Sequence, residues 1–442
     1  MSTNDLTNSP SSSQKTDWFT HDRFGLFIHW GLYTMGARHE WLKSREHMTT
    51  EQYNKYFKRF DPDLYDPEVW AKAASDAGMK YFVITTKHHE GFCLWDSKLT
   101  DYTAIHSPAG RDLLRPMVDA FRKYDMKTGL YYSLIDWHHP DYTVDVKHPL
   151  RYNKEFVEQD KQRQLSRYVD YMFGQTKELL TGYGPVDLLF LDFSIQAEEG
   201  FAGKGKNEWQ SEEFVKMVRE LQPNILLNDR LEVPGDITTP EQYMPKEWVK
   251  VGGRPVVWEA CHTFSGSWGY HRDEDSWKSV DMLIKMLVDA VGKGGNLLLN
   301  IGPTGRGEID ERALERLQGI GEWMKRHDRS IYGCTAAPEG VQAPDDCRFT
   351  YNPQTNRLYL HIFSYSFKSI HIKGLAGKIE YAQLLNDASE IKVKEGARES
   401  SMAVGAFTEG RDAETVSISI PVKKPNVTVP VIELFLRPGA FA

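Results

Sequence analysis

Residues 187–193 read DLLFLDF. Leu188, Leu189, Phe190 and Leu191 follow one another with no polar residue between them, and Asp192 closes the run. A strand with one wet face alternates; a strand covered on both faces reads continuously, as in a parallel sheet. The same signature recurs at 24–31 (FGLFIHWG), 81–89 (YFVITTKHH), 128–134 (TGLYYSL), 224–230 (NILLNDR), 255–261 (PVVWEAC) and 296–303 (NLLLNIGP).

Helical stretches separate these runs. Asp66-Pro67 supplies an N-cap followed by Pro at the first helical position, and Gly78 supplies the stop. Val69, Trp70, Ala73 and Ala77 fall at helical spacing on one expected face, as do Val280, Leu283, Ile284, Leu287 and Val288 farther on. Strand–helix alternation over about 300 residues predicts a (β/α)8-like barrel of the TIM type, with a doubly wound sheet as the alternative. Seven strands are legible, one fewer than a regular barrel holds.

After about Ile331 the period changes. The segments 358–363 (LYLHIF), 369–373 (SIHIK), 378–381 (KIEY), 390–394 (EIKVK), 416–420 (VSISI) and 431–436 (VIELFL) alternate or nearly so, with turn residues between them. They predict a C-terminal antiparallel β-sandwich. The expected organisation is a disordered lead-in over 1–15, a catalytic barrel over 16–331 and a sandwich over 332–442.

Composition narrows the function classes. A net charge of −8 offers no basic footprint for nucleic acid. No apolar run approaches the roughly 20 residues that span a bilayer. The N-terminus MSTNDLTNSPSSS has no apolar signal core, so a cytoplasmic protein is expected. Cys93, Cys261, Cys334 and Cys347 are scattered without a CxxC pair, which predicts free thiols and no zinc site.

Barrel enzymes carry their chemistry at the C-terminal strand ends. Polar residues close six of the seven runs: His29, His88-His89, Tyr131, Asp192, Asn228-Asp229-Arg230 and Glu259. Any one of them has an ordinary structural explanation, and a strand-end Asp is often a helix N-cap. Convergence of six at one barrel mouth is harder to explain that way. Two acids among hydroxyl-binding side chains, without a phosphate loop, point to sugar chemistry. Glycines in 292–296 (GKGGN) lack phosphate-loop spacing and precede a strand. Adjacent His88 and His89 are expected on opposite faces of a strand, so neither a metal nor any other cofactor is expected. Cys261 is read as buried packing rather than as a nucleophile.

The motifs resemble glycoside hydrolase family 29, the α-L-fucosidases. The resemblance rests on WFTHDRFGLFIHWG (18–31), Glu40-Trp41, TTKHHEGFCLWDS (85–97), GLYYSLIDW (129–137), FLDF (190–193), LNDR (227–230), WEACHTFSGSWGY (258–270) and GGNLLLNIGPTGRGEI (294–309). They run in family order across the whole expected barrel. The resemblance implies Asp192 as nucleophile and Glu259 as general acid/base. It places His29, Glu40, His88, His89, Tyr131 and Arg230 around the sugar, and Trp268 as an apolar wall for its methyl group. Asn228 and Asp229 are expected to hold Arg230. Phe190 departs from the family, which often has Trp there.

The implied activity is a retaining, exo-acting hydrolysis of terminal α-L-fucosyl residues on oligosaccharides or glycoconjugates by double displacement. It requires Glu259 protonated by burial and Asp192 held ionised by Arg230. The alternatives are a fucose-binding pseudoenzyme and a metal-dependent barrel hydrolase. Neither nucleic acid nor membrane is an expected partner, and a homo-oligomer is the expectation for a barrel-plus-sandwich chain.

Overall fold

The structure, a computed structural model, describes residues 12–395 and 414–441. Residues 1–11 of the expected lead-in lie outside the described residues; the remainder of it enters helix α1, Ser12–Asp22.

Seven parallel strands form the N-terminal sheet: β1 Phe24–Ile28, β2 Tyr81–Lys87, β3 Lys127–Ser133, β4 Leu188–Asp192, β5 Leu226–Leu227, β6 Glu259–Thr263 and β7 Asn296–Ile301. Their spatial order is β5-β4-β3-β2-β1-β7-β6. Helices α2 Pro67–Asp76, α3 Leu114–Lys123, α4 Leu165–Gly182, α5 Ser211–Leu221 and α6 Val280–Gly292 fill five of the crossovers, and α7 Glu311–His327 follows the last strand.

The edges β5 and β6 do not pair directly. Residues 237–241 lie between them, with parallel bridges Asn228↔Ile237, Thr238↔Trp258 and Glu241↔Cys261. This segment takes the eighth place and closes the ring. Its sequence, ITTPE, has no apolar run, and Pro240 cannot donate to a ladder, so it carries no strand signature.

Alternation inside the ring builds the interior. Phe27, Val83, Tyr131, Leu188, Phe190, Cys261 and Leu298 form one buried cluster at the centre, with Phe19 and Tyr81. The opposite strand faces pack under the helices in the main core. Asp66 caps α2 by accepting from the Glu68 N–H, and Gly78 follows the helix in the left-handed region at φ 85°. Its buried face is Trp70, Ala71 and Ala74; Val69, expected inward, is 54% exposed because it lies about 100° around the helix from Trp70. On α6 the expected Leu283, Ile284, Leu287 and Val288 are buried, and Ser279 caps the helix.

The C-terminal strands are β8 Cys347–Asn352, β9 Arg357–Ile362, β10 Ser369–Lys373, β11 Ile379–Leu384, β12 Val393–Glu395, β13 Thr415–Ser419 and β14 Val431–Leu436. They form antiparallel sheets in orders β8-β9-β14-β11 and β10-β13-β12 over a shared core containing Leu358, Leu360, Ile372, Val416 and Leu434. The sandwich is fastened to the barrel. Trp323 of α7 donates from Nε1 to the Val429 carbonyl at 2.9 Å, and Arg348 Nε meets Asp289 of α6 at 2.8 Å. All four cysteines are free and buried.

Candidate active site

A cavity opens at the C-terminal mouth of the barrel, lined by Phe27, His29, Trp41, His88, His89, Tyr131, Phe190, Asp192, Phe193, Glu241, Cys261 and Trp268. Inward-facing strand residues make its floor, and strand ends make its polar rim.

Asp192 is the last residue of β4. Tyr131, from β3, donates its hydroxyl to Asp192 Oδ2 at 2.7 Å. Burial, then the Asp192 charge, push the Tyr131 pKa far up, so the phenol stays a donor. Arg230 Nη1 approaches Asp192 Oδ1 at 3.4 Å. Asn228 steadies the neighbouring peptide: its Oδ1 accepts from Leu191 N–H at 3.1 Å and its Nδ2 donates to the Leu191 carbonyl at 2.8 Å. Since β5 is only two residues long, this amide continues its pairing beside the acid.

Arg230 also donates from Nη2 to Glu241 Oε2 at 2.9 Å. Its Nε and Nη2 donate to Thr239 Oγ1 at 3.0 Å and the Thr239 carbonyl at 3.2 Å. Asp229 accepts from Thr239 and so holds Arg230 indirectly. Burial opposes the guanidinium charge, but Asp192, Cys261 and Glu241 outweigh it and raise the pKa. Glu241 stands at the rim with 42% of its side chain exposed. Burial by the surrounding rim and the charge of Asp192 raise its carboxyl pKa against the pull of Arg230. Two carboxyls with different environments thus share one cation across the cavity.

The apolar side is Phe27, Phe190 and Trp268, with Phe27–Phe190 ring centroids 5.1 Å apart and Phe27–Trp268 5.8 Å apart. His88 and His89 both line the cavity, their rings 3.9 Å apart. They are not on opposite faces as expected, because β2 ends at Lys87 and strand alternation no longer applies. Glu40 accepts from Gly269 N–H at 3.0 Å and from Ser267 Oγ at 3.4 Å. It thereby anchors the loop that presents Trp268.

Glu259 is not at this mouth. The sequence reading ends a strand there; the structure begins β6 there. Glu259 points inward one layer below Cys261, roughly 7 Å down the strand, and it is fully buried. Tyr81, the first residue of β2, donates its hydroxyl to Glu259 Oε2, and Asn296 donates to Tyr81 at 3.2 Å. Burial pushes the Glu259 carboxyl up to about 8. The expected elevation is present, but at the barrel floor, with Cys261 between this acid and the cavity. Glu241 is the carboxyl the sequence reading missed, along with the lining residues Phe27, Trp41 and Phe193.

Residues 2–329 match the family described as Alpha-L-fucosidase. The chain belongs to the α-L-fucosidase family. It is a glycoside hydrolase. Among solved structures, α-L-fucosidase isoenzyme 1 from Paenibacillus thiaminolyticus is 44% identical, with 96% of this chain and 99% of that one covered and a TM-score of 0.88. A GH29 α-L-fucosidase from Bacteroides thetaiotaomicron is 30% identical, with 99% and 98% covered and a TM-score of 0.81. It was captured as a trapped covalent intermediate with 2-fluoro-fucosyl fluoride, using a Glu-to-Gln mutant. Plasma α-L-fucosidase of Homo sapiens is 30% identical over 373 residues, 77% of this chain and 74% of that protein. The family's N-terminal match thus covers the barrel and its cavity, and the solved relatives extend over the sandwich as well.

Proposed function

We propose that this chain removes terminal α-L-fucosyl residues from oligosaccharides or glycoconjugates by a retaining double displacement, with Asp192 as nucleophile and Glu241 as general acid/base. The observation that carries the reading is Arg230 joining those two acids at the mouth of a cavity closed below by the barrel interior. Because the pocket is closed below by the barrel interior, it takes the end of a glycan chain rather than an internal sugar. His29, His88, His89 and Tyr131 face its hydroxyls, and Trp268 with Phe27 and Phe190 faces its C5 methyl group.

In the first step an Asp192 oxygen attacks C1, the glycosidic C1–O bond breaks, and the Glu241 proton passes to the departing oxygen. The product is a fucosyl ester of Asp192 with inverted configuration. In the second step Glu241 takes a proton from water as that oxygen attacks C1, and the ester bond breaks to release Asp192. Two inversions retain the anomer. Arg230 lies 3.4 Å from Asp192, and the raised pKa of Glu241 favours the acid form required at the start. The exposed rim position gives Glu241 access to both leaving group and water. The covalent intermediate named for the Bacteroides relative supports the two-step course.

The direct test is hydrolysis of an aryl α-L-fucoside followed by proton NMR. α-L-Fucose as the first-formed anomer is expected; β-L-fucose first, or no turnover, would contradict the proposal. Glu241→Gln should also abolish the alkaline limb of the kcat/KM profile. A limb unchanged in this variant would exclude Glu241 as the acid.

A further inference from the structure

The hydrogen bonds behind the cavity fix which nitrogen of two histidines carries the proton. Asn300, on β7, donates from Nδ2 to the Trp268 carbonyl at 2.6 Å. A peptide carbonyl only accepts, so the amide cannot be turned around. Asn300 Oδ1 therefore faces His29 Nδ1, at 2.6 Å, and an amide oxygen only accepts. His29 Nδ1 must carry the hydrogen.

Ser133, the last residue of β3, gives an independent second case. Its hydroxyl donates to the Ile135 carbonyl at 2.8 Å and accepts from the Ile135 N–H at 3.0 Å. Its one proton is thus engaged, and the 2.7 Å contact with His89 Nδ1 requires that nitrogen to donate. Asn300 and Ser133 are both buried, and no hydrogen bond to Nε2 of His29 or His89 occurs among the described residues. Burial pushes both imidazoles well below their usual pKa, so the rings are neutral with bare Nε2.

We propose that Asn300 and Ser133 are positioning residues that lock His29 and His89 as Nδ1–H tautomers, so that this part of the cavity binds a sugar hydroxyl only by accepting its proton at Nε2. The inference rests on the proposed fucoside site for its ligand, but the tautomers are a property of the free protein. A hydroxyl at either Nε2 is selected as a donor. Fluorine at that place, which can only accept, gains nothing over hydrogen.

The test is a long-range proton–nitrogen correlation spectrum of the ligand-free full chain labelled with nitrogen-15 in histidine. His29→Gln and His89→Gln identify the two rings. Both rings are expected with hydrogen on Nδ1 and a lone pair on Nε2; hydrogen on Nε2 of either ring overturns the proposal. In Ser133→Ala the His89 ring should acquire an Nε2–H population. KM for an aryl α-L-fucoside should then rise roughly tenfold, the scale of one hydrogen bond, with a smaller change in kcat. An unchanged His89 tautomer and KM in folded Ser133→Ala would equally overturn it. Because the spectrum needs no substrate, failure to hydrolyse any fucoside would strike the proposed function alone.

Discussion

At the scale of single residues, the two glutamates separate a buried acid from an accessible one. Glu259 has the pKa elevation that an acid catalyst needs, but its carboxyl is sealed beneath Cys261 and bonded to Tyr81. Elevated pKa marks burial, and burial alone does not mark a site. The native carboxyl holds its proton up to about pH 8, whereas the unfolded one releases it near 4.5, the ordinary glutamate value. The native state thus binds more protons between those values, and stability falls as pH rises through them. Glu259→Gln removes that loss. We expect the variant to be more stable than the parent by on the order of a few kcal/mol at pH 8, with the difference vanishing near pH 4.5. We also expect its kcat/KM on an aryl α-L-fucoside to stay within a few-fold of the parent. Urea unfolding at several pH values and steady-state kinetics check both; collapse of turnover in the folded variant would return the acid role to Glu259.

At the scale of elements, the strands most easily read were those whose local sequence agrees with their burial. Phe24–Ile28 and Leu188–Asp192 are continuous apolar runs, and the strand end at Asp192 was legible with them. Residues 237–241 were not, because Pro240 and two threonines occupy a place held by isolated bridges rather than by a full ladder. Missing that segment hid Glu241. In 255–261 the apolar residues precede the strand instead of forming it, which turned a strand start into an apparent strand end. The motif resemblance located Asp192, Arg230 and the histidines in a common neighbourhood; it could not show which layer Glu259 occupied. The short β5 makes Asn228 answerable for Leu191. Asn228→Ala leaves both Leu191 backbone groups without these partners, so it should lower stability by about 1–3 kcal/mol. It should also lower kcat, because Asp192 follows on the freed peptide. Denaturant unfolding paired with single-turnover kinetics checks this; lost stability with unchanged kcat would limit Asn228 to a structural part.

At the scale of the whole molecule, the cavity belongs to the barrel, and the sandwich supports it from outside. Trp323, His327 and Ile331 are buried near the junction, and Trp323 reaches the chain at Val429. No sandwich residue lines the described cavity. Trp323→Phe removes the indole donor and one ring of a buried bicycle, leaving a void at the junction. The lost hydrogen bond and the void together should destabilise the chain by about 2 kcal/mol, seen as a lower Tm, with kcat/KM unchanged. A large fall in kcat/KM at full folding would show that the junction acts on the cavity. The change of sequence period after Ile331 made the two architectures legible, since helices and parallel strands give way to alternating segments. Their fastening was not legible, because it depends on distant pairs such as Arg348 with Asp289.

Azide interception reads the division of labour proposed for Asp192 and Glu241 as stereochemistry. Asp192→Ala leaves space for azide to attack C1 of an aryl α-L-fucoside once, and the product is β-L-fucosyl azide. Glu241→Ala still forms the Asp192 ester from an aryl fucoside, whose leaving group hardly needs a proton. Azide, which needs no base, then displaces that ester, and two inversions give α-L-fucosyl azide. Proton NMR distinguishes the anomers. Azides of opposite configuration from the two variants are predicted; the β azide from Glu241→Ala, or undiminished turnover of a natural fucoside by that variant, would exclude Glu241 as the acid/base.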